Sequence, residues 1–241
     1  MSEKIPIFID FGGTLVDTLE ITRLMFKKTF NRSFSNEQII KMYKDASKRR
    51  LSMMLFFKYP VNPIKLMLNQ KKMRGIQEEL FLNKAKLHPK AKQTLEKIKK
   101  HGGFSLILVT QNPTMEDEEH SKQIIKKLFG NKNPFDLILA GEDKTALIDN
   151  HFNSESISKG IFIGDLPNDI LNAEMLGIPC IGVTWGYSTE SELETPYIAD
   201  DFDELYDLVI DHVEDLKEDL AEEDVDEIEF EEEIEGYEFV E

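Results

Sequence analysis

The chain is predicted to be an α/β protein: a three-layer core on a parallel sheet, with an all-helical cap inserted into it. Three observations lead there. Apolar runs at residues 5–10 (Ile-Pro-Ile-Phe-Ile-Asp), 104–110 (FSLILVT) and 160–165 (GIFIGD) each end in polar groups, the pattern of strands buried on both faces. Shorter apolar segments, Phe135 to Ala140 and Pro179 to Trp185, alternate with helical patterns, so the recurring unit is strand then helix and the sheet is parallel. Between the first two long runs, residues 19–87 hold no convincing strand.

Taken in order, the first strand runs into the tight turn Gly12-Gly13. In the insertion, Ser35-Asn36-Glu37-Gln38 spells a capping box. Ile39, Ile40, Tyr43 and Ala46, then Leu51, Met54, Leu55 and Phe56, follow on one long helix. Pro60 and Pro63 punctuate it before a helical stretch around Ile76 to Leu82. Pro89 suits the first turn of a helix that runs through Leu95 and Ile98 and stops at Gly102-Gly103. Pro167 opens a helix that ends near Gly177. The expected organisation is a core of residues 1–18 and 88–213, a cap of residues 19–87, and a disordered acidic tail of residues 214–241.

The net charge of -17 is unevenly spread: residues 19–87 carry 16 basic and 5 acidic side chains, residues 214–241 carry 1 and 16. The basic segment reads either as a solvated helical surface, lysine stems lying over apolar patches, or as a field that steers an anionic substrate. Lys48-Arg49-Arg50 is short and lacks an aromatic platform after it, so nucleic-acid recognition is not expected. The acidic tail can pair with its own basic cap or with a basic partner; a free solvated tail is the competing reading, because surface pairing is weak and screened. The single cysteine, Cys180, sits in an apolar run and reads as a buried structural thiol. No apolar run reaches the roughly 18 residues of a membrane span, and the N-terminus lacks a leader pattern. A cytoplasmic protein without a membrane partner is expected.

Ligands of open parallel sheets bind beyond the carboxyl ends of the strands, where Asp10, Thr110 and Asp165 all fall. Asp10-Phe11-Gly12-Gly13-Thr14 sets a carboxylate beside the exposed amides of a glycine turn, which can hold a phosphate. Gly164-Asp165-Leu166-Pro167-Asn168-Asp169 supplies hard oxygen ligands suited to magnesium. Each cluster alone reads as a turn plus a helix cap; the two together, with Thr110, point to a metal and phosphate site.

FIDFGGTLVDT and FIGDLPNDILNAEMLGIPCIGVTWGY carry a resemblance, over residues 5–213, to the haloacid dehalogenase superfamily in its phosphoglycolate-phosphatase-like branch. The resemblance implies a Rossmann-like core, a helical cap, a magnesium cofactor and a small phosphorylated substrate. It makes Asp10 the nucleophile that forms an aspartyl-phosphate, Thr110 the hydrogen-bonding partner of the transferring phosphoryl group, and Lys144, opening a helix after a strand, the neutralising cation. Lys159 is expected at the far end of its strand. Phosphate would also meet Gly13, Thr14, Gln111 and Asn112; the metal would take Asp10, the backbone carbonyl of Gly12, Asp165 and Asp169.

Gly12 departs from the phosphatase pattern, which has a second Asp there as general acid/base. Such help is typically worth about 10²–10⁴ in rate, so slow turnover is expected. Two alternatives stand beside a weak phosphatase. One is a catalytically impaired phosphate-binding or scaffold protein. The other is a phosphonate or haloacid hydrolase, since those relatives also lack that Asp. The phosphonate branch needs a cap lysine, for which Lys41, Lys44 and Lys48 are available; the haloacid branch works without metal, against the evident Asp165 and Asp169 pair.

Overall fold

A computed structural model describes residues 4–47 and 63–216. Strands β1 (Ile5–Ile9), β2 (Phe104–Thr110), β3 (Leu137–Ala140), β4 (Ile161–Gly164), β5 (Cys180–Val183) and β6 (Tyr197–Ala199) form one sheet in the order β3-β2-β1-β4-β5-β6. All pairings are parallel. The chain starts in the middle, winds outward through β2 and β3, then crosses back to β4. The winding therefore reverses beside β1, and a crevice opens beyond the carboxyl ends of the strands there.

Side-chain alternation divides the strands between two cores. Ile7, Ile9, Leu106, Leu108, Ile161 and Ile163 pack with helices α4 (Ala91–His101), α5 (Glu118–Phe129) and α9 (202–216), through Leu95, Ile98, Ile124, Leu205 and Val209. Phe8, Ile107, Val109 and Phe162 pack on the other face with α6 (Lys144–Asp149), α7 (Ser154–Ser158) and α8 (Pro167–Leu176), through Ile148, Ile157 and Ile170. Helix, sheet and helix make the three layers, and burial of both faces explains why the strands read as unbroken apolar runs.

Between β1 and α4 the described chain holds three helices: α1 (Leu19–Phe30), α2 (Asn36–Ser47) and α3 (Pro63–Lys84). The capping box forms, with Gln38 N–H donating to Ser35 Oγ at 3.3 Å and Ser35 N–H donating to Gln38 Oε1 at 3.0 Å. Lys48-Arg49-Arg50, Leu51 to Phe56 and Pro60 lie outside the described residues. The two ends of the segment meet: Val16 bridges to Leu87, and His88 N–H donates to Leu15 O at 2.9 Å. Phe11, just past β1, stacks on Phe81 of α3 at 6.1 Å between centroids, which ties the segment to the sheet.

Three expectations change. Lys90 takes φ 68° before α4, so that helix begins at Ala91 and Pro89 stands outside its first turn. β6 was not foreseen: three residues immediately after Pro196 are too short to show a strand period. Helix α9 runs to residue 216, past the expected tail boundary at 213, because Val213 is buried against the core; the remaining tail, 217–241, lies outside the described residues. Cys180 is buried in β5, and burial pushes its thiol well up. Among the described residues no helix is long and apolar enough to cross a membrane.

Candidate active site

Strand ends place two of the acidic residues of the site and a helix start places the third. Asp10 follows β1, and its N–H donates to Ile163 O of β4 at 2.9 Å. Asp165 follows β4, its carboxylate accepting from Thr14 Oγ1 at 2.9 Å and from Tyr187 N–H at 2.8 Å. Asp169 lies in the first turn of α8 and accepts from Leu166 N–H at 3.1 Å, the capping role that favours a carboxylate there. Lys144 is the first residue of α6, whose start is fixed by Asp143 accepting from Ala146 N–H at 3.2 Å. From there its Nζ donates to Asp169 Oδ1 at 2.7 Å and to Asp10 Oδ1.

The four groups are almost sealed from solvent: Asp10 is 7% exposed, Asp165 0%, Asp169 2% and Lys144 3%. Burial raises the Asp10 carboxyl to about 6, with Lys144 pulling it down and Asp169 pushing it up. Burial, then the charges of Asp10 and Asp169, hold Asp165 well above the ordinary carboxylate range. Burial works against the Lys144 ammonium, but Asp10 and Asp169 outweigh it and keep the amine charged. One lysine thus faces three carboxylates.

That imbalance is the chemistry of a cation site. Ligand oxygens of Asp10, Asp165 and Asp169 lie within 4.8 Å of one another, and a hard, anionic oxygen set of this kind fits a divalent ion such as magnesium. The backbone closes tightly around it. A Cβ on Gly13, at φ +99°, or on Gly186 would sit 2.3 Å from atoms of Asp165, so only glycine lets the chain approach so near.

A cavity of about 440 Å³ opens over Asp10, Gly12, Thr110 and Lys144. Thr110 Oγ1 accepts from Asn112 N–H at 3.1 Å, which leaves its hydroxyl hydrogen for another acceptor. Gln111 and Asn112 also border the cavity, but their side chains are engaged locally. Gln111 donates to Glu142 O at 2.5 Å, and Asn112 Oδ1 accepts from Thr114 N–H at 3.1 Å. Gly13, Thr14, Asp165 and Asp169 are off the cavity wall; the Thr14 hydroxyl is turned to the carboxylates, 3.3 Å from Asp10 Oδ2. Lys159 stands at the start of β4, paired with Glu155 at 3.2 Å. Lys41 and Lys44 are not on the wall, and Lys48 lies outside the described residues.

Sequence reasoning passed over Thr18, Thr22, Tyr43 and Tyr187, which also line the cavity. Tyr43 of α2 stacks on Tyr187 with centroids 5.2 Å apart. Thr18 N–H donates to Tyr187 Oη at 2.9 Å, its hydroxyl lies 2.5 Å from the same oxygen, and Thr22 bonds Tyr43 Oη. In the sequence Tyr43 belongs to an ordinary apolar stripe of a helix; only its polar tip distinguished it from a core residue. Gly12 has no left-handed φ, and a Cβ there would meet Thr18 Cγ2 at an ordinary 3.4 Å.

The family described as haloacid dehalogenase-like hydrolase matches residues 7–183. A phosphoglycolate phosphatase of Haemophilus influenzae is 30% identical over 139 residues, covering 53% of this chain and 59% of the relative. One of Pasteurella multocida is 29% identical over 135 residues, covering 52% and 58%. The chain therefore spans less than two thirds of the length of these curated relatives. Among solved structures, a haloacid dehalogenase-like hydrolase from Streptococcus pneumoniae superposes with TM-score 0.69 at 21% identity, over 87% of this chain and 100% of that one. CbbY from Rhodobacter sphaeroides, in complex with phosphate, gives 0.64 at 18% identity, over 84% and 96%. At such identities the likeness is one of fold.

Proposed function

Because the chain belongs to the haloacid dehalogenase-like hydrolase family, we propose that it is a magnesium-dependent phosphatase of a small phosphorylated metabolite, working through Asp10. The observation that carries this reading is the contact of Lys144 Nζ with Asp10 in a buried cluster with Asp165 and Asp169, open to a cavity through Asp10 itself.

In this reading an Asp10 carboxylate oxygen attacks phosphorus, the bond from phosphorus to the ester oxygen breaks, and the alcohol leaves. Water then adds to phosphorus, the aspartyl bond breaks, and inorganic phosphate departs with Asp10 restored. Lys144 holds Asp10 in its ionised form and lends positive charge where phosphoryl oxygens gather. Thr110 donates its free hydroxyl hydrogen to one of those oxygens. Asp10, Asp165 and Asp169, with the Gly12 carbonyl, would hold magnesium, which when bound screens the phosphoryl charge from the carboxylates. Gly12 offers no proton, so the leaving alkoxide takes one from water and turnover is slow. Helices α1 to α3 serve as the cap, closing the cavity with Thr22, Tyr43 and Phe81.

The test is release of inorganic phosphate from a panel of phosphate esters with magnesium or with chelator, using Asp10→Asn as the control. Magnesium-dependent release that Asp10→Asn abolishes is expected. Absence of release from every ester overturns the proposal in favour of a phosphate-binding protein without turnover.

A further inference from the structure

Tyr187 is held at both ends. Its N–H donates to Asp165 Oδ2 at 2.8 Å, while its Oη accepts at 2.9 Å from the N–H of Thr18, the residue before α1. Between those ends its ring stacks on that of Tyr43 from α2, with centroids 5.2 Å apart and 20° between planes. Thr22 of α1 fixes the tip of Tyr43 by a hydrogen bond to its Oη. Tyr187 therefore meets a carboxylate of the proposed metal site with its backbone and the helical segment with its ring.

The approach to Asp165 leaves no slack. A Cβ on Gly186, the residue before Tyr187, would sit 2.3 Å from Asp165 Cβ, so a shift of this loop changes the surroundings of the carboxylate at once. Asp165 is fully buried, and among the described residues Thr14 Oγ1 and Tyr187 N–H are its hydrogen-bond donors. Such outer partners aim a carboxylate ligand, and their loss typically costs about 10–100-fold in metal affinity. Lys44, next to Tyr43, ties α2 to the same loop through Glu192 at 2.6 Å, but that pair is partly exposed, where ion pairs are weak.

We infer that Tyr43 and Tyr187 are positioning residues that couple α2 to the metal site: stacked on Tyr43, Tyr187 presents its N–H to Asp165, and α2 in place raises the affinity for a divalent cation. The inference rests on the metal site of the proposed function and adds to it a link through residues that are not ligands. Coupling between two sites is reciprocal, so bound magnesium should in turn hold α2 down.

Magnesium is titrated calorimetrically into the full chain and into Tyr43→Ala, Tyr43→Phe and Lys44→Met. Tyr43→Ala should bind at least about fivefold more weakly than the parent, the lower end of coupling between sites. Tyr43→Phe keeps the stack and Lys44→Met removes only the partly exposed pair, so both should stay within about twofold of the parent. Hydrogen exchange reads the reverse direction: magnesium should slow exchange of the α2 amides in the parent by at least about fivefold. That measurement needs no Tyr43 variant and decides even where Tyr43→Ala fails to fold. A merely structural tyrosine would lower the melting temperature in chelator and leave magnesium affinity alone, which overturns the coupling. So does α2 exchange indifferent to magnesium, or a loss in Tyr43→Phe or Lys44→Met as large as that in Tyr43→Ala. A parent chain that binds no magnesium overturns the coupling and the metal site together. One that shows both effects yet releases phosphate from no ester sinks the phosphatase reading and supports the coupling.

Discussion

Lys144 and Asp169 meet with Nζ 2.7 Å from Oδ1, both side chains almost wholly buried. Since the same ammonium also holds Asp10, removing it leaves three buried carboxylates with no cation among them. Lys144→Met is expected to lose about 3–5 kcal/mol of stability in chelator. Magnesium should restore part of the loss, because an ion that binds only the folded chain stabilises it by mass action. Thermal denaturation with and without magnesium checks this; a variant as stable as its parent in chelator would show that the carboxylates do not need the lysine.

Asp165→Asn should fold and yet bind magnesium poorly. An amide at 165 can accept from Tyr187 N–H and donate to the Thr14 hydroxyl, so both hydrogen bonds of the carboxylate survive. The negative charge does not. Affinity in calorimetric titration is expected to fall by at least about tenfold, the scale known even for outer-shell partners. Undiminished affinity would remove Asp165 from the proposed metal site.

Gly12→Asp is expected to raise phosphate release by about one to three decades within the range of acid/base catalysis. The backbone at 12 avoids the left-handed region, and the new Cβ meets only Thr18 at 3.4 Å. Gly13→Ala one residue later should fail to form the site, since its Cβ would lie 2.3 Å from Asp165 Oδ2. Steady-state rates of the two variants, with circular dichroism to confirm folding, separate a missing acid from a disturbed loop. No gain in Gly12→Asp, folded and magnesium-bound, would argue against phosphoester hydrolysis.

Acid should loosen the hold of α2 on the loop after β5. Hydrogen bonding from Lys44, then from Thr189 N–H, pulls the Glu192 carboxyl from 4.5 to about 2. Its contribution to stability is therefore complete above pH 4.5 and disappears as pH falls through about 2. The Glu192 side chain is 42% exposed, so the contribution stays below about 1 kcal/mol. Denaturant midpoints of Glu192→Gln and its parent should differ slightly at pH 7 and converge as the pH approaches 2; a gap that persists would assign the effect to packing.

The sheet was legible because buried parallel strands are written as continuous apolar runs, and Asp10, Thr110 and Asp165 mark their ends in the sequence itself. Lys144 was legible for a related reason: a helix that starts right after a strand can aim its first side chain at the strand ends. The meeting of Tyr43 with Tyr187 was not, because residues 144 positions apart carry no local sign that their rings stack. β6 escaped notice because three residues are too few to display a period of two.

The bridge of Val16 to Leu87, with His88 N–H on Leu15 O, has an evolutionary consequence. A segment whose two ends are fastened side by side enters and leaves the sheet domain through a single doorway. Its length and sequence can drift, or be exchanged for another, without rerouting the strands whose ends place Asp10 and Asp165. The sheet with the acidic cluster at its strand ends and the helical segment joined at that doorway can thereby change separately.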